Sequence, residues 1–407
     1  MHILLIHQAF AALDEAGGTR HFEMAGFLAE KGHRVTIIAS PVSYLTGKTR
    51  SAHTVWLEKE NPSPGITIIR TYTYTALHRS FFHRVISFFS FMISSFFAGL
   101  REEKVDVVWG TSPPIFQGFT AWLLARLKGA AFLFEVRDLW PSFAIAVGVL
   151  RSPLLIRASQ WLEKFLYRRA DRVMVNSPGF ISHVTERGAR WVELVPNGAD
   201  PDMFDPCQDG ITFRRKHDLI GKFVLLYAGA HGISNDLEVI LQAAGKLTAL
   251  DTIRFVLIGD GKEKNNLVGM AKNLGIHNVV FLPPIPKSEI PGALAAADAC
   301  IAILKPLDAY KTTFPNKVFD YMAAGRAVIC AIDGVIREVV ESAGAGIFTP
   351  PGDPDQLAEV VRQLSTSPQS VRQMGLAGRD CIEKNYSRAQ ISQKLLLVLE
   401  EMEKYHA

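Results

Sequence analysis

Cysteine is scarce, with four residues in 407, at Cys207, Cys300, Cys330 and Cys381. None forms a CxxC pair and no histidine stands at metal-ligand spacing, which argues against a disulfide framework and against structural zinc. Four scattered cysteines read as reduced thiols of a cytosolic protein. The first strand is followed by no GxGxxG, so the dinucleotide fingerprint is missing. No short-period repeat and no low-complexity tail occur. The net charge of +4 is small for this length. It gives no indication of nucleic acid, though it suits an anionic membrane surface or a diphosphate ligand. The apolar opening His2–Ile6 is too short for a signal peptide. The uncharged run Val85–Leu100 holds 16 residues, short of the roughly 20 that a spanning helix needs.

What is present is a soluble composition, 48% hydrophobic and 21% charged, in a chain long enough for two cores. Short β-branched runs alternate with helical stretches throughout. Strands are expected at Ile3–Ile6, Val35–Ala39, Ile66–Arg70, Val105–Trp109, Ala131–Phe134, Arg172–Val175 and Val192–Val195. In the second half they are expected at Phe223–Tyr227, Arg254–Ile258, Val279–Leu282, Ala299–Ile303 and Ala327–Cys330. Such alternation specifies an α/β protein with two Rossmann-like, doubly wound parallel sheets. Gly, Pro and Asp cluster from Pro196 to Gly210, which sets the expected domains at 1–202 and 203–386. The apolar stretch Gln390–Tyr405 then makes a final helix within 387–407, able to pack back on the first domain.

The most informative segment is Phe314-Pro-Asn-Lys317-Val-Phe-Asp320-Tyr-Met-Ala-Ala-Gly325. It reads as a loop entering a helix, with Pro315 where a missing N–H costs little. The unpaired first-turn N–H groups and the helix dipole favour an anion there. Lys317 and Asp320, three apart, share one helix face. That arrangement suits a nucleotide sugar, the lysine meeting diphosphate and the carboxylate accepting from ribose hydroxyls; an ordinary surface Lys–Asp pair is the alternative. The preceding loop supplies Lys305, Lys311, Thr312 and Thr313. Other candidate loops follow strands: Gly17-Gly18-Thr-Arg20, Glu135-Val-Arg137-Asp138-Leu-Trp140, Gly229-Ala-His231 and Gly259-Asp-Gly261. In doubly wound sheets such loops bind ligands.

Around Val85–Leu100 the helical period puts Phe81, Val85, Phe88, Phe89, Met92 and Phe96 on one side and His83, Ser87, Ser90 and Ser94 on the other. Two readings stand: a helix covering a sheet, or a monotopic surface helix with Phe91 and Phe97 exposed and Arg79 and Arg84 at lipid headgroups.

Taken in order, Gly17-Gly18, Gly32-His33-Arg-Val-Thr, Val195-Pro-Asn197-Gly198, Gly259-Asp-Gly261 and Met322-Ala-Ala-Gly325-Arg-Ala-Val resemble the family-4 retaining glycosyltransferases of the GT-B fold, over nearly the whole chain. Glu135-Val-Arg137-Asp138-Leu-Trp-Pro141, Tyr227-Ala-Gly-Ala-His231-Gly232 and Pro315-Asn-Lys317-Val-Phe-Asp320-Tyr321 look closest to the WbuB-like, fucosamine-transferase branch of O-antigen and capsule enzymes. The resemblance implies two domains facing across a crevice and sugar transfer from a UDP-sugar to an undecaprenyl-diphosphate-linked saccharide. It implies retention of configuration, no metal or other cofactor, and a peripheral place on the cytoplasmic membrane surface. It makes Asp320 the second acid of the family's paired carboxylates and leaves Thr312 at the place of the first. The usual Arg and Lys of the first loop fall at Ala230 and Asn235, and the acceptor-side His-Asp pair reads Arg137-Asp138.

The catalytic candidates are therefore Arg137, Asp138, Lys317 and Asp320. Donor contacts are expected from Gly17, Gly18, Arg20, Gly229, His231, Gly259, Gly261, Lys305, Lys311, Thr312, Thr313, Asn316, Lys317 and Asp320, and acceptor contacts from Glu135, Arg137 and Trp140. A nucleotide-sugar 2-epimerase or a non-catalytic GT-B binding partner are the alternatives.

Overall fold

The computed structural model describes every residue except 44–46, 51–53, 55, 76–80 and 407. Arg79 lies outside the described residues, as does the side chain of Phe81. The chain forms two compact units: Met1–Ala12, Gly18–Pro196 and Ala389–Ala407 make the first, Leu13–Gly17 and Asn197–Arg388 the second. The division thus falls before Asn197 rather than after Asp202, and the first unit reclaims the chain from Ala389. The physical reason is a backbone bridge: Ala199 N–H donates to the Tyr386 carbonyl, and Arg388 N–H donates to that of Ala199. These bonds tie the stretch after Pro196 into the second unit.

The first unit holds β1 (His2–Ile6), β2 (Arg34–Ala39), β3 (Leu57–Ser63), β4 (Ile66–Thr71), β5 (Val107–Ser112), β6 (Ala131–Val136), β7 (Arg172–Val175) and β8 (Val192–Leu194). They form one sheet in the order β3-β4-β2-β1-β5-β6-β7-β8. All pairings are parallel except β3 with β4. Central β1 is buried along its whole length, as expected of a strand covered on both faces. β3 (LEKENPS) is mostly exposed and polar, so no apolar pattern announced it. The order reverses between β2 and β5, on either side of β1. Ligand loops of a doubly wound sheet converge at the carboxyl end of such a switch point.

The second unit holds β9 (Phe223–Ala228), β10 (Ile253–Ile258), β11 (Val279–Leu282), β12 (Ala299–Ile303), β13 (Ala327–Ala331) and β14 (Gly346–Phe348). Their order is β11-β10-β9-β12-β13-β14, all parallel. Here the switch point lies between β9 and β12, so the loops after those two strands flank the ligand crevice of such a sheet.

The helix Phe81–Arg101 connects β4 to β5. Both strands run in the same direction in one sheet, so the helix is a crossover that must lie along that sheet. Its faces are the reverse of a soluble helix. Ser87, Phe91 and Ser95 are buried, while Phe82, Phe89, Ile93, Phe97 and Leu100 are exposed, Phe97 at 57%. The serines turn inward because neighbouring backbone needs them: Ser94 Oγ donates to the Tyr72 carbonyl at 2.6 Å, and Ser90 Oγ accepts from Tyr74 N–H at 2.9 Å. Phe91, on the outside in the surface-helix reading, is fully buried. Phe91→Ala should therefore cost about 3–5 kcal/mol of stability, whereas Phe97→Ala should stay within about 0.5 kcal/mol. Denaturant unfolding of the two variants checks this, and equal losses would refute the inverted faces.

Candidate active site

In the second unit, β9 ends at Ala228 and the chain turns through Gly229 at φ +154°. A Cβ at Gly229 would stand 2.6 Å from Lys317 Nζ, so glycine leaves room for that ammonium. Lys317 belongs to the helix Asn316–Ala323, entered from an extended Pro315 with no side chain capping its first turn. Tyr321 Oη accepts from Ala228 N–H at 2.9 Å, which fastens the helix to the end of β9. Asn197 Nδ2 donates to the Phe314 carbonyl at 2.6 Å and fixes the approach to the helix. Thus held, Lys317 Nζ lies 4.0 Å over the Tyr227 ring and donates to Tyr227 Oη at 2.8 Å. Burial pushes its pKa down to about 7.

Three residues along the helix, Asp320 Oδ2 meets Lys287 Nζ at 2.5 Å. Asn316 Nδ2 donates to the same oxygen at 3.4 Å. Lys287 escaped the sequence reading because it lies 33 residues away along the chain. The loops after β9 and β10 are pressed together: a Cβ on Gly259 would come within 1.9 Å of the Gly229 carbonyl oxygen, and His231 N–H donates to the Asp260 carbonyl at 2.8 Å. Gly259 and Gly261 are thus required by backbone packing. His231 is fully buried beside them, and neither ring nitrogen has a hydrogen-bond partner among the described residues. Burial, then the Lys264 and Lys317 charges, bring its pKa to about 4, so the ring is neutral.

The remaining donor-side candidates are more dispersed. Lys305 is half-buried and its N–H donates to the Ser234 carbonyl at 3.0 Å. Lys311 is exposed and paired with Asp308 at 2.8 Å. The hydroxyls of Thr312 and Thr313 donate back to the carbonyls of Ala309 and Tyr310. Gly17 falls in the segment grouped with the second unit, and Gly18 begins the next stretch of the first.

In the first unit, the centre of the carboxyl edge is Glu135, fully buried. It accepts from His21 Nε2 at 2.6 Å, Trp109 Nε1 at 3.1 Å and Arg20 Nε at 3.3 Å. Burial alone would raise its pKa, but His21, Arg20 and Arg137 outweigh it and hold the carboxylate at about 2. Burial takes His21 to about 4 despite Glu135, so a neutral ring donates to an ionised carboxylate. The other two Arg20 nitrogens donate to the carbonyls of Pro196 and Val195, at 2.7 and 2.8 Å. Arg20 and Glu135, expected at donor and acceptor, are both turned inward as a brace. His7 directly follows β1, and its ring meets that of His21 edge-on, centroids 4.3 Å apart. Neither of its ring nitrogens has a hydrogen-bond partner among the described residues.

Arg137 and Asp138 follow directly on β6. Arg137 donates to the Pro113 carbonyl at 3.1 Å. Burial lifts the Asp138 carboxyl to about 7, against the opposing pull of Arg137 and a backbone N–H at Leu139. A carboxyl near 7 can hold or release a proton at working pH. Trp140 packs on Phe116, ring centroids 6.0 Å apart.

Two outcomes follow. Glu135→Gln breaks a buried ionic brace and should cost about 3–5 kcal/mol; an unchanged melting temperature would show that the brace carries no stability. Asp138 has a folded pKa of about 7 against an ordinary 3.8, so between these values the folded state holds the extra proton. Stability should then fall as pH rises through that window. Asp138→Asn should gain on the parent chain between pH 5 and 7, by about the same measure in urea as in heat; parallel pH curves for the two proteins would exclude the raised pKa.

The comparisons with known proteins agree with this architecture. Residues 17–198 match the glycosyl transferase 4-like domain and residues 211–380 match glycosyl transferases group 1. The chain is 27% identical over 320 residues to the putative colanic acid biosynthesis glycosyl transferase WcaI of Escherichia coli, covering 76% of this chain and 78% of that one. It is 25% identical over 293 residues to the probable glycosyltransferase WbjE of Pseudomonas aeruginosa, covering 70% and 72%. Sucrose-phosphate synthase of Thermosynechococcus elongatus superposes with a TM-score of 0.78 at 18% identity, over 98% of both chains. Anabaena HepE, solved with UDP and glucose, gives 0.74 at 16% identity, over 98% of this chain and 100% of that one. With both domain models in order along two doubly wound units, the chain belongs to the family-4 glycosyltransferases of the GT-B fold.

Proposed function

We propose that this glycosyltransferase moves a sugar from a UDP-sugar, with retention at the anomeric carbon and without a metal, to an undecaprenyl-diphosphate-linked saccharide. The setting is surface-polysaccharide synthesis at the cytoplasmic face of the membrane. The observation that carries the donor half is Lys317: an ammonium enclosed at a helix N-terminus, beside the Gly229 turn, with no carboxylate partner among the described residues. A diphosphate supplies the missing counter-charge, and the open first turn of the helix adds N–H donors. Asp320, oriented by Lys287, accepts from ribose hydroxyls. The bond from the anomeric carbon to the diphosphate breaks and a bond to the acceptor oxygen forms. The acceptor proton passes to the leaving phosphate, and Lys317 with the helix dipole stabilises the charge that develops there. Asp138, close to neutrality in its pKa, is the acceptor-side group best suited to orienting the attacking hydroxyl.

Support for polysaccharide synthesis comes from the relative named for colanic acid, and for a UDP donor from the UDP bound by HepE. The branch resemblance makes an N-acetylated amino sugar such as N-acetyl-L-fucosamine the first donor to try. The outward Phe82, Phe89, Ile93 and Phe97 support peripheral membrane contact through the helix that carries them.

The decisive assay is UDP release across a panel of UDP-sugars, with and without lipid-linked acceptor. Acceptor-dependent release with one donor is expected; isomerised donor without acceptor would instead indicate an epimerase. Lys317→Ala should lower turnover by about 10²-fold, and Asp320→Ala should chiefly weaken donor binding. Because Lys317 loses its proton above about pH 7, UDP affinity should fall as pH rises from 7 to 9, by up to about tenfold per unit. A terminal phosphate with a pKa of about 6 is mostly dianionic from pH 7 upward and adds little to the change. Lys317→Arg should remove the dependence, and a pH-independent affinity in the parent chain would exclude Lys317 as the diphosphate partner.

A further inference from the structure

At the amino edge of the first sheet, opposite its ligand loops, lies a cavity of about 1150 Å³. Arg172 opens β7 there, and Arg190 and Trp191 lead into β8. The carboxyl ends of three helices, Phe116–Lys128, Pro153–Arg169 and Arg388–His406, converge on the same edge. Six cations and three carboxylates line the cavity. Two of those carboxylates are engaged: Glu193 faces Arg172 at 3.5 Å, and Asp171 accepts from Phe132 N–H at 2.7 Å. Arg126, Arg168, Arg169, Arg190 and Lys404 stand in no ion pair among the described residues. The helix ends carry about half a negative charge each, which offsets part of this excess and leaves the cavity positive.

Aromatic groups are interleaved with the cations. The Arg172 guanidinium lies 5.0 Å from the Trp191 ring and 5.7 Å from that of Tyr405. It steadies one side of each ring, yet Trp191 remains 61% and Tyr405 80% exposed. Trp122 also lines the cavity, and its indole N–H has no acceptor among the described residues. Guanidinium forks match carboxylate and phosphate groups, and open aromatic faces match the apolar faces of sugar rings. A flat bilayer cannot fill a concavity, and a bare anion has no use for the rings. The volume exceeds the roughly 300–1,000 Å³ of a drug-sized ligand site, which leaves space for more than one sugar unit.

We infer that this cavity is a second saccharide site, which takes an acidic glycan: sugar units bearing carboxylate or phosphate groups, ring faces on Trp191 and Tyr405, anions on Arg169 and Arg190. It uses no residue of the transfer site, so the two assignments stand or fall separately. The test is calorimetric titration of the full chain with hexagalacturonate, with maltohexaose, pyrophosphate and phosphatidylglycerol vesicles in parallel. Saturable, salt-sensitive binding of hexagalacturonate is expected. Trp191→Ala and the double variant Arg169→Ala/Arg190→Ala should each weaken it at least about tenfold, with UDP binding unchanged as the control for folding. Failure of hexagalacturonate to bind would overturn the proposal. So would equal binding of maltohexaose, binding of vesicles alone, or pyrophosphate binding as tightly with no loss in Trp191→Ala.

Discussion

The carboxyl edge of the second unit depends on how the helix Asn316–Ala323 is fastened to the end of β9. Tyr321 Oη meets the Ala228 backbone, Lys317 lies on Tyr227, and Asn197 holds the carbonyl ahead of the helix. Each bond joins groups that would otherwise be buried without partners, so the helix has little freedom to rotate or slide. Its N-terminus is thereby held at the switch point between β9 and β12, where the topology leaves backbone N–H groups facing outward. The lysine that rides on it is desolvated by the same packing. Fold and electrostatics are one arrangement here: the contacts that place the ammonium also lower its affinity for a proton.

The first unit solves the same problem with opposite polarity. An ionised Glu135 at the heart of the edge collects His21, Trp109 and Arg20, and Arg20 in turn closes on two carbonyls of the chain leaving β8. A buried charge of this kind is tolerated because almost every lone pair is answered. The adjacent pair Arg137 and Asp138 stands outside this brace, its backbone set by the end of β6.

Much of this was legible in the sequence, because strand runs and the Lys317–Asp320 spacing are local patterns. Twelve strand positions follow from β-branched runs. β3 did not, since its polar residues show no alternation, and three-residue β14 is too short to register. The partners were not legible where chemistry joins distant residues: His21 and Glu135 are 114 positions apart, and Lys287 and Asp320 33 apart. The helix Phe81–Arg101 shows a subtler limit. Periodicity separated its aromatic and serine faces but could not say which faces the sheet. The backbone at Tyr72 and Tyr74 needed hydrogen-bond partners, and that need chose the serines.

The two sheets also end in a way that bears on solubility. An edge strand offers a row of free N–H and C=O groups to any other strand that meets it. The first sheet closes at one margin with β3, irregular in register between Glu60 and Ser63 and carrying Glu58, Lys59 and Glu60. At the other margin it closes with three-residue β8, and the second sheet likewise closes with three-residue β14. The fourth margin, β11, is the apolar four-residue run Val279–Leu282, so three of the four margins are brief or charged and give a neighbouring molecule little to extend. End-to-end joining of the sheets into fibres is thus opposed at those three margins, and β11 is the margin left to its neighbours to cover.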